Sequence, residues 1–354
     1  MELDDLESLR ACDPQGMLAH IDGLPEQLGK AWEIGKAAEL PKRGEFRQIV
    51  IAGMGGSAIG GDLLAAYVAP TCGLPVTVWR NYDLPASVRG PETFVVVSSH
   101  SGNTEEALSA CERCLEVGAT LVAITTGGKL AEMAEARRVP VWRFHHTGQP
   151  RAAVGYSFGL LLSLLSRMQW IPDAENELRG AVACMRSQQA SLLPSVPVVR
   201  NPAKRMAGQL MGRWPVILGS GILAPVARRW RTQISEVAKA MAQFEELPEA
   251  DHNFVAGVLN PEALIEKTMI LFLRSSLEHP RNCLRVDTTR QVLMVEGFNT
   301  DVIRAAGETR LAQQWTSLHF GDYVAYYLAM AYGVDPTPVA AIEDLKRQMA
   351  LIQS

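Results

Sequence analysis

Between residues 46 and 144, short apolar runs alternate with longer amphipathic segments. The apolar runs are rich in β-branched residues, which is typical of buried strands. Alternation of this kind predicts a parallel sheet covered by helices on both faces. We predict strands at Phe46–Ala52, Pro75–Trp79, Phe94–Ser98, Thr120–Thr125 and Val139–Phe144, and helices near 57–69, 104–117 and 129–136.

A second alternating region follows a helical connector. Its first strand, Trp214–Gly219, is followed by Ser220-Gly221, a pattern similar to the glycine-rich segment after the first strand of the chain. This similarity suggests an internal duplication. We predict a helix at about 224–244, strands at Thr268–Leu273 and Gln291–Val295, helices near 303–331, and a last helix to about 352 with Thr337 as N-cap and Pro338 at the first helical position.

These elements predict an α/β fold with two three-layer α/β/α units, a helical lead-in and a C-terminal helix. Prolines at 194, 197 and 202 mark the boundary between the connector and the second unit. The expected division is a lead-in at 1–45, a first unit at 46–151, a connector at 152–200, and a second unit with the last helix at 201–354.

Composition excludes several classes of function. The chain has 354 residues, of which 47% are hydrophobic and 20% charged, with a net charge of −4. This charge gives no reason to expect a nucleic acid or an anionic membrane as partner. The acidic N-terminus has no signal-peptide pattern, and the longest apolar run, 152–165, is too short to span a bilayer. We therefore expect a cytoplasmic protein.

Six cysteines and several histidines raise the question of metal or redox chemistry. Cys111 and Cys114 form a CxxC pattern in the middle of a predicted helix, with no second pair, so core packing explains them best. His145 and His146 lack ligand spacing to any Cys or Asp cluster. We expect no metal.

The segment Ser98-Ser-His-Ser-Gly-Asn-Thr104 joins a buried strand to a helix and is rich in hydroxyl groups. A helix N-terminus has unpaired N–H groups that favour an anion, and the side chains of Ser99, Ser101 and Thr104 add donors. The alternative is a well-capped turn, with Asn103 as N-cap and Glu106 three residues later. By itself the segment favours neither interpretation.

A second loop, Gly53-Met-Gly-Gly-Ser57, follows the first strand. Glycines at this position let the backbone approach a ligand closely. A dinucleotide site of the Gly-x-Gly-x-x-Ala type is the alternative, but the next strand lacks a well-placed ribose-binding acid. The predicted phosphate ligands are therefore Gly55, Gly56, Ser57, Ser99, Ser101 and Thr104.

Together these two loops resemble the sugar isomerase (SIS) domain, a phosphosugar-binding module. Later segments make the chain similar to the bifunctional phosphoglucose/phosphomannose isomerases, from about residue 47 to the C-terminus. Those segments are Gln149–Ala152, Arg228–Trp230 with Glu236 and Lys239, Leu247–Asn253, and Asp335–Pro338 with Lys346. The resemblance implies conversion of glucose and mannose 6-phosphates to fructose 6-phosphate through a cis-enediol, with no cofactor.

Glu236 matches the catalytic base of that family. Spacing alone favours a surface glutamate paired with Lys239 or Arg229. The family usually has an asparagine on each side of the base, whereas this chain has Ser235 and Val237. We expect the altered flanks to affect how the base is oriented.

Three further residues match family positions. His252 matches a histidine that opens the sugar ring in the neighbouring subunit's site, which implies a homodimer. Lys346 matches the C-terminal lysine that reaches a sugar oxygen, although a lysine beside apolar residues often extends to solvent. Arg151, the alternative being a surface arginine, has a permanent charge suited to stabilising an enediolate. His100 stands where the family often has a tyrosine.

The main rival is a regulatory protein that binds phosphosugars without converting them. Such proteins usually carry a DNA-binding module, for which residues 1–45 are too short and too acidic. An amidotransferase's isomerase half would need a nucleophilic N-terminal cysteine, and Cys12 is internal. An NAD-linked enzyme fits least.

Overall fold

The computed structural model of the protein describes residues 2–351. The lead-in consists of three helices, Leu6–Cys12 (α1), Met17–Asp22 (α2) and Leu24–Ala37 (α3). The Asp5 carboxylate caps α1 by accepting hydrogen bonds from the N–H groups of Glu7 and Ser8, each at 3.1 Å. Most apolar residues of α3 are buried, and the helix packs against the connector helices Val154–Arg167 and Glu175–Gln189.

The first unit contains a five-stranded parallel sheet: Gln48–Gly53 (β1), Val76–Trp79 (β2), Thr93–Ser99 (β3), Thr120–Thr125 (β4) and Val141–Arg143 (β5). The strand order is β2-β1-β3-β4-β5. The order reverses between β1 and β3, and ligands of open α/β sheets bind at such a reversal, beyond the carboxyl ends of the strands. Gly53 pairs with Ser98 there, so the two predicted loops start side by side.

The helices of this unit and of the connector follow the predicted pattern. They are Gly55–Val68 (α4), Glu105–Val117 (α5), Gly128–Ala136 (α6), Val154–Arg167 (α7) and Glu175–Gln189 (α8). A further helix, Pro202–Leu210 (α9), follows the connector. The α7 helix is buried along nearly its whole length and contacts α3 and α4.

The second unit has a four-stranded parallel sheet: Trp214–Ser220 (β6), Gln243–Leu247 (β7), Thr268–Arg274 (β8) and Asn299–Arg304 (β9). Its order, β7-β6-β8-β9, repeats the order of the first four strands of the first sheet. Its helices are Ala224–Val237 (α10), Pro280–Val295 (α11), Arg310–Tyr332 (α12) and Ala340–Leu351 (α13).

The α12 helix is the buried centre of the molecule and packs against α8, α9 and α10. The largest core cluster accordingly joins the lead-in, both units and the connector. By contrast, every described side chain from Ala340 onward in α13 is exposed. The predicted fold class, two α/β units with parallel sheets, is confirmed.

Two predictions in the second unit are wrong. The helix predicted at 224–244 ends at Val237, and β7 occupies 243–247. The strand predicted at Gln291–Val295 is the end of α11, and the true strand is β9. Both missed strands lie at an edge of the sheet and are rich in polar residues, so they lack the apolar runs that indicate central strands.

Two predicted helix starts are also wrong. Thr104, not Asn103, is the N-cap of α5, because the Asn103 side chain instead accepts a hydrogen bond from the Lys129 N–H at 3.1 Å. The last helix begins at Ala340, and Thr337 lies in the irregular segment before it. The Thr337 carbonyl oxygen accepts a hydrogen bond from Arg151. The predicted end of the last helix near residue 352 lies outside the described residues.

Candidate active site

Two loops at the carboxyl ends of β1 and β3 form the first loop pair, which we define as Gly53–Ser57 and Ser98–Thr104. Ser57 and Ser99 are buried, while Ser101 is exposed. The Ser99 hydroxyl lies 2.9 Å from the Thr104 hydroxyl and accepts a hydrogen bond from the Gly102 N–H at 3.1 Å. The loop after β3 is therefore held in shape by its own hydroxyl groups.

The glycines of the first loop have two different tasks. Gly55 has φ of +50°, a conformation that favours glycine. Gly56 permits a close approach, because a Cβ placed on it would lie 2.5 Å from the Pro150 carbonyl oxygen and 3.3 Å from the Arg151 Cα. The start of α4 thus rests directly on the 3-10 helix Pro150–Ala153 that carries Arg151.

Arg151 connects this loop pair with the second unit. Its side chain is buried and donates hydrogen bonds to the carbonyl oxygens of Pro336, at 3.0 Å, and Thr337. Its Nη1 lies 3.7 Å from Oε2 of Glu236, in the last turn of α10. The structure therefore brings together two of the predicted catalytic residues.

Arg151 itself is held in place from the other side. Arg229 donates a 2.7 Å hydrogen bond to the Arg151 carbonyl oxygen and forms a bidentate ion pair with Asp322, at 3.2 and 2.9 Å. Both members of this ion pair are buried. Arg229 is therefore not the surface partner of Glu236 that spacing suggested.

Glu236 lines a cleft of about 720 Å³ between the end of α10 and the chain that runs from Val334 into the first turn of α13. Its side chain is 30% exposed, so a ligand in the cleft has direct access to the carboxylate. The cleft walls include Ser235, Lys239, Val334, Asp335 and Ile342.

Sequence reasoning missed Lys239 as a site residue. Its ammonium group donates to the Glu236 carbonyl oxygen at 2.5 Å and to the Pro336 carbonyl oxygen at 3.4 Å. Burial lowers the pKa of Lys239, and the positive charge of Arg151 acts in the same direction. Burial likewise lowers the pKa of Arg151. Two cations thus flank Glu236. In the sequence, the position of Lys239 three residues after Glu236 was the feature that could have identified it as a site residue.

The structure does not bring His252 into this cleft. His252 ends the 3-10 helix Glu249–His252 after β7 and is exposed. Within residues 2–351, its side chain makes no hydrogen bond or ion pair. Lys346 is also exposed and outside the cleft wall, but it lies one helical turn beyond Ile342 on the same face of α13.

Two histidines and two cysteines of the first unit have pKa values shifted by burial. His100 Nε2 lies 3.0 Å from His146 Nδ1, and burial lowers the pKa of both rings, that of His146 to about 4. Cys111 and Cys114 are buried in the core, as predicted, and burial raises their pKa to about 11 and 12. Among the described residues, no cluster of His, Cys, Asp or Glu is arranged to hold a metal ion.

No helix within residues 2–351 is both long and apolar enough to cross a membrane.

Residues 199–349 match the family model described as the bacterial phospho-glucose isomerase C-terminal SIS domain.

Two proteins of known name are similar over most of the chain. The bifunctional phosphoglucose/phosphomannose isomerase of Caldicellulosiruptor bescii is 40% identical over 341 residues, or 95% of this chain and 100% of that protein. The bifunctional phosphoglucose/phosphomannose isomerase of Aquifex aeolicus is 33% identical over 305 residues, or 86% and 91% of the two chains.

Among solved structures, a glucose-6-phosphate isomerase like protein from Thermus thermophilus has the same fold. Its TM-score is 0.66 at 21% identity, with 97% of this chain and 99% of that chain covered.

Proposed function

The chain belongs to the bifunctional phosphoglucose/phosphomannose isomerase family, and we propose that it converts glucose 6-phosphate and mannose 6-phosphate to fructose 6-phosphate. The observation that carries this proposal is the contact of Glu236 with Arg151 in an open cleft, directly behind the first loop pair. In this proposal one sugar phosphate contacts both the hydroxyl-rich loops and the carboxylate base.

The phosphate group binds the first loop pair in this proposal. Donors are the backbone N–H groups at Gly55 and Gly56 and the hydroxyls of Ser57, Ser99, Ser101 and Thr104. The start of α4 adds its favourable dipole. These groups hold the substrate and take no part in proton transfer.

Glu236 then moves the proton. In the open-chain aldose it takes the C2 proton, and O1 gains a proton as the C1 carbonyl becomes a hydroxyl of the cis-enediol. Glu236 then returns its proton to C1 while O2 loses its hydroxyl proton, so that the net change moves one proton from C2 to C1 and one from O2 to O1 and gives the ketose. Arg151, with Lys239 nearby, stabilises the negative charge that develops on the enediolate oxygens. Glucose and mannose 6-phosphates differ only at C2, and the enediol removes that difference, so one site accepts both.

Glu236→Gln tests the assignment of the base. We expect kcat to fall by about 10²–10⁴-fold, because a carboxamide cannot accept the proton, while fructose 6-phosphate still binds. Coupled assays with each aldose phosphate measure kcat, and calorimetry measures binding. Glu266→Gln, at an exposed position in the second unit, is the matched control. A fully active Glu236→Gln enzyme would contradict the proposal.

We further propose that His252 opens the sugar ring in the site of a second copy of this chain. Its exposure and lack of partners among the described residues leave it accessible to a neighbour. Lys346 is proposed to reach a sugar hydroxyl from α13, since it continues the helical face that starts at Ile342 in the cleft wall.

Mixing two inactive variants tests the shared site. In a hybrid dimer of Glu236→Gln and His252→Ala chains, one of the two sites receives both intact residues. Random mixing should therefore restore about a quarter of the wild-type activity. No recovery, in a mixture in which hybrid dimers are shown to form, would place His252 and Glu236 of one chain in the same site. A His252→Ala chain that is active by itself would remove the role of His252.

We also propose a cytoplasmic location. All six cysteines are free thiols, which fits a reducing compartment. Cell fractionation with an antibody checks this, and recovery in an extracytoplasmic fraction would refute it.

A further inference from the structure

The second unit repeats the strand-to-helix turn of the first loop pair. Ser220, the last residue of β6, has φ −131° and ψ 154°, close to the φ −125° and ψ 160° of Met54 directly after β1. Gly221 and Gly55 follow with φ of +51° and +50°. We call Gly219–Leu223 and Leu273–Glu278 the second loop pair, because they follow β6 and β8 as the first pair follows β1 and β3.

A carboxylate of the protein itself occupies the second loop pair. The Ser220 hydroxyl donates to Oε1 of Glu278 at 2.8 Å. The Glu278 side chain also accepts a hydrogen bond from the Ser275 backbone, and the Cys283 thiol lies 3.8 Å from its Oε2. Glu278, in the loop after β8, therefore connects that loop with the loop after β6. These two loops correspond to the loops after β3 and β1, which carry the serines in the first unit.

The charges around this carboxylate fit an anion site. Burial raises the pKa of Glu278, while the Ser220 hydroxyl, the Ser275 backbone and the charge of Arg274 favour its ionised form. By strand register, Arg274 stands where Ser99 stands in the first sheet. Arg274 itself forms an ion pair with Asp287 at 2.5 Å, so it acts on Glu278 only through its charge. The groups that hydrogen-bond Glu278 directly in the second loop pair are the Ser220 hydroxyl and the Ser275 backbone N–H.

We propose that the second loop pair is a second anion-binding site, whose ligand is the side chain of Glu278, and that removing this carboxylate opens it to a phosphate group. The comparison with the first loop pair rests on the proposed function. In the wild-type chain, Glu278 keeps the second site closed, so each chain takes up a single phosphate group.

Calorimetric titration with inorganic phosphate tests this. The variants are Glu278→Ala, Glu278→Gln, the pair Ser57→Ala/Ser99→Ala, and the triple combination with Glu278→Ala. We expect one bound phosphate for the wild type, two for Glu278→Ala and one for the triple variant. Glu278→Gln should stay at one, because a carboxamide of the same size still fills the space and accepts from Ser220.

Circular dichroism establishes that each variant is folded, and Glu278→Ser replaces Glu278→Ala if the latter is not. Phosphate should also raise the Tm of the opened variant more than that of the wild type. The inference is overturned if folded Glu278→Ala and Glu278→Ser bind no more phosphate than the wild type. If the wild type binds none while Glu278→Ala binds one, the phosphate role of the first loop pair fails and the inference stands.

Discussion

The two α/β units share a strand order and a glycine turn, yet their loops hold different side chains. The first loop pair contains the hydroxyls of Ser57, Ser99 and Thr104, whereas the corresponding site of the second unit is occupied by Glu278. The second unit instead contributes Glu236, at the end of the helix that follows its glycine turn. One copy of the architecture thus provides the proposed phosphate ligands and the other provides the proposed base.

The units meet through corresponding helices. If Gly55 is aligned with Gly221, Asp62 of α4 corresponds to Arg228 of α10, and these two side chains form an ion pair at 3.1 Å. Asp62 also pairs with Arg80. Corresponding positions that face each other are expected where two similar units are related by an approximate twofold axis.

The largest expected effect concerns a position where the units differ in the core. The same alignment pairs Leu63, which is fully buried, with Arg229, which is buried against Asp322. Asp322→Ala leaves the arginine charge buried without its partner, so the free energy of unfolding should fall by about 3–5 kcal/mol in urea titrations. The exposed pair of Asp344 with Arg347 gives the control, since Asp344→Ala should change stability by about 0–1 kcal/mol. Equal losses for both would refute the contrast.

The next effect concerns the contact of α4 with the arginine helix. Gly56 corresponds to Ile222 in the second unit, so only the first unit needs a glycine at this place. Gly56→Ala should force α4 away from Pro150, lower stability by about 1–3 kcal/mol and reduce kcat/KM, because Arg151 moves with its helix. Gly208→Ala in α9, where a Cβ would meet nothing within 4 Å, is the matched control. Unchanged kcat/KM in Gly56→Ala would show that the position of Arg151 does not depend on its contact with the first loop pair.

The smallest effect uses the histidines after β5, a strand with no counterpart in the described part of the second sheet. His146 hydrogen-bonds His100, its ring lies 5.0 Å from that of His20 and 6.0 Å from that of Tyr156, and burial lowers its pKa to about 4. Between about pH 6.5 and pH 4 the unfolded chain therefore binds a proton that the folded chain does not, and stability falls as the pH falls.

His146→Gln removes this dependence. Relative to its value at pH 7, the stability difference between wild type and variant should move by ~1–2 kcal/mol in the variant's favour at pH 4, less than full linkage because the ring is partly exposed. Urea titrations across the pH range measure this, with the exposed His145→Gln as control. A pH dependence identical to that of the wild type would show that His146 is not held neutral.

How well the sequence predicted a strand depended on its content of apolar and β-branched residues, so that even the half-exposed edge strand β2, Val76–Trp79, was located. Central strands such as β3, whose seven residues are all buried, have continuous apolar runs and were located within a residue or two. The edge strands β7 and β9 have half-exposed polar residues and were missed. Val292 and Val295 favoured a strand by propensity, but tertiary context places them in α11.

The sequence by itself determined which side chains the loops carry and where they lie. The glycines and serines of Gly53–Ser57 and Ser98–Thr104 directly follow two strands that are neighbours in the sheet, so local structure alone brings them together. Only the tertiary structure decided which distant groups meet. Arg151 reaches Glu236, Arg229 is buried against Asp322 rather than on the surface, and Glu278 fills the second loop pair. Such contacts join residues far apart in the chain, and they depend on how the two sheets pack around α12, which no local pattern encodes.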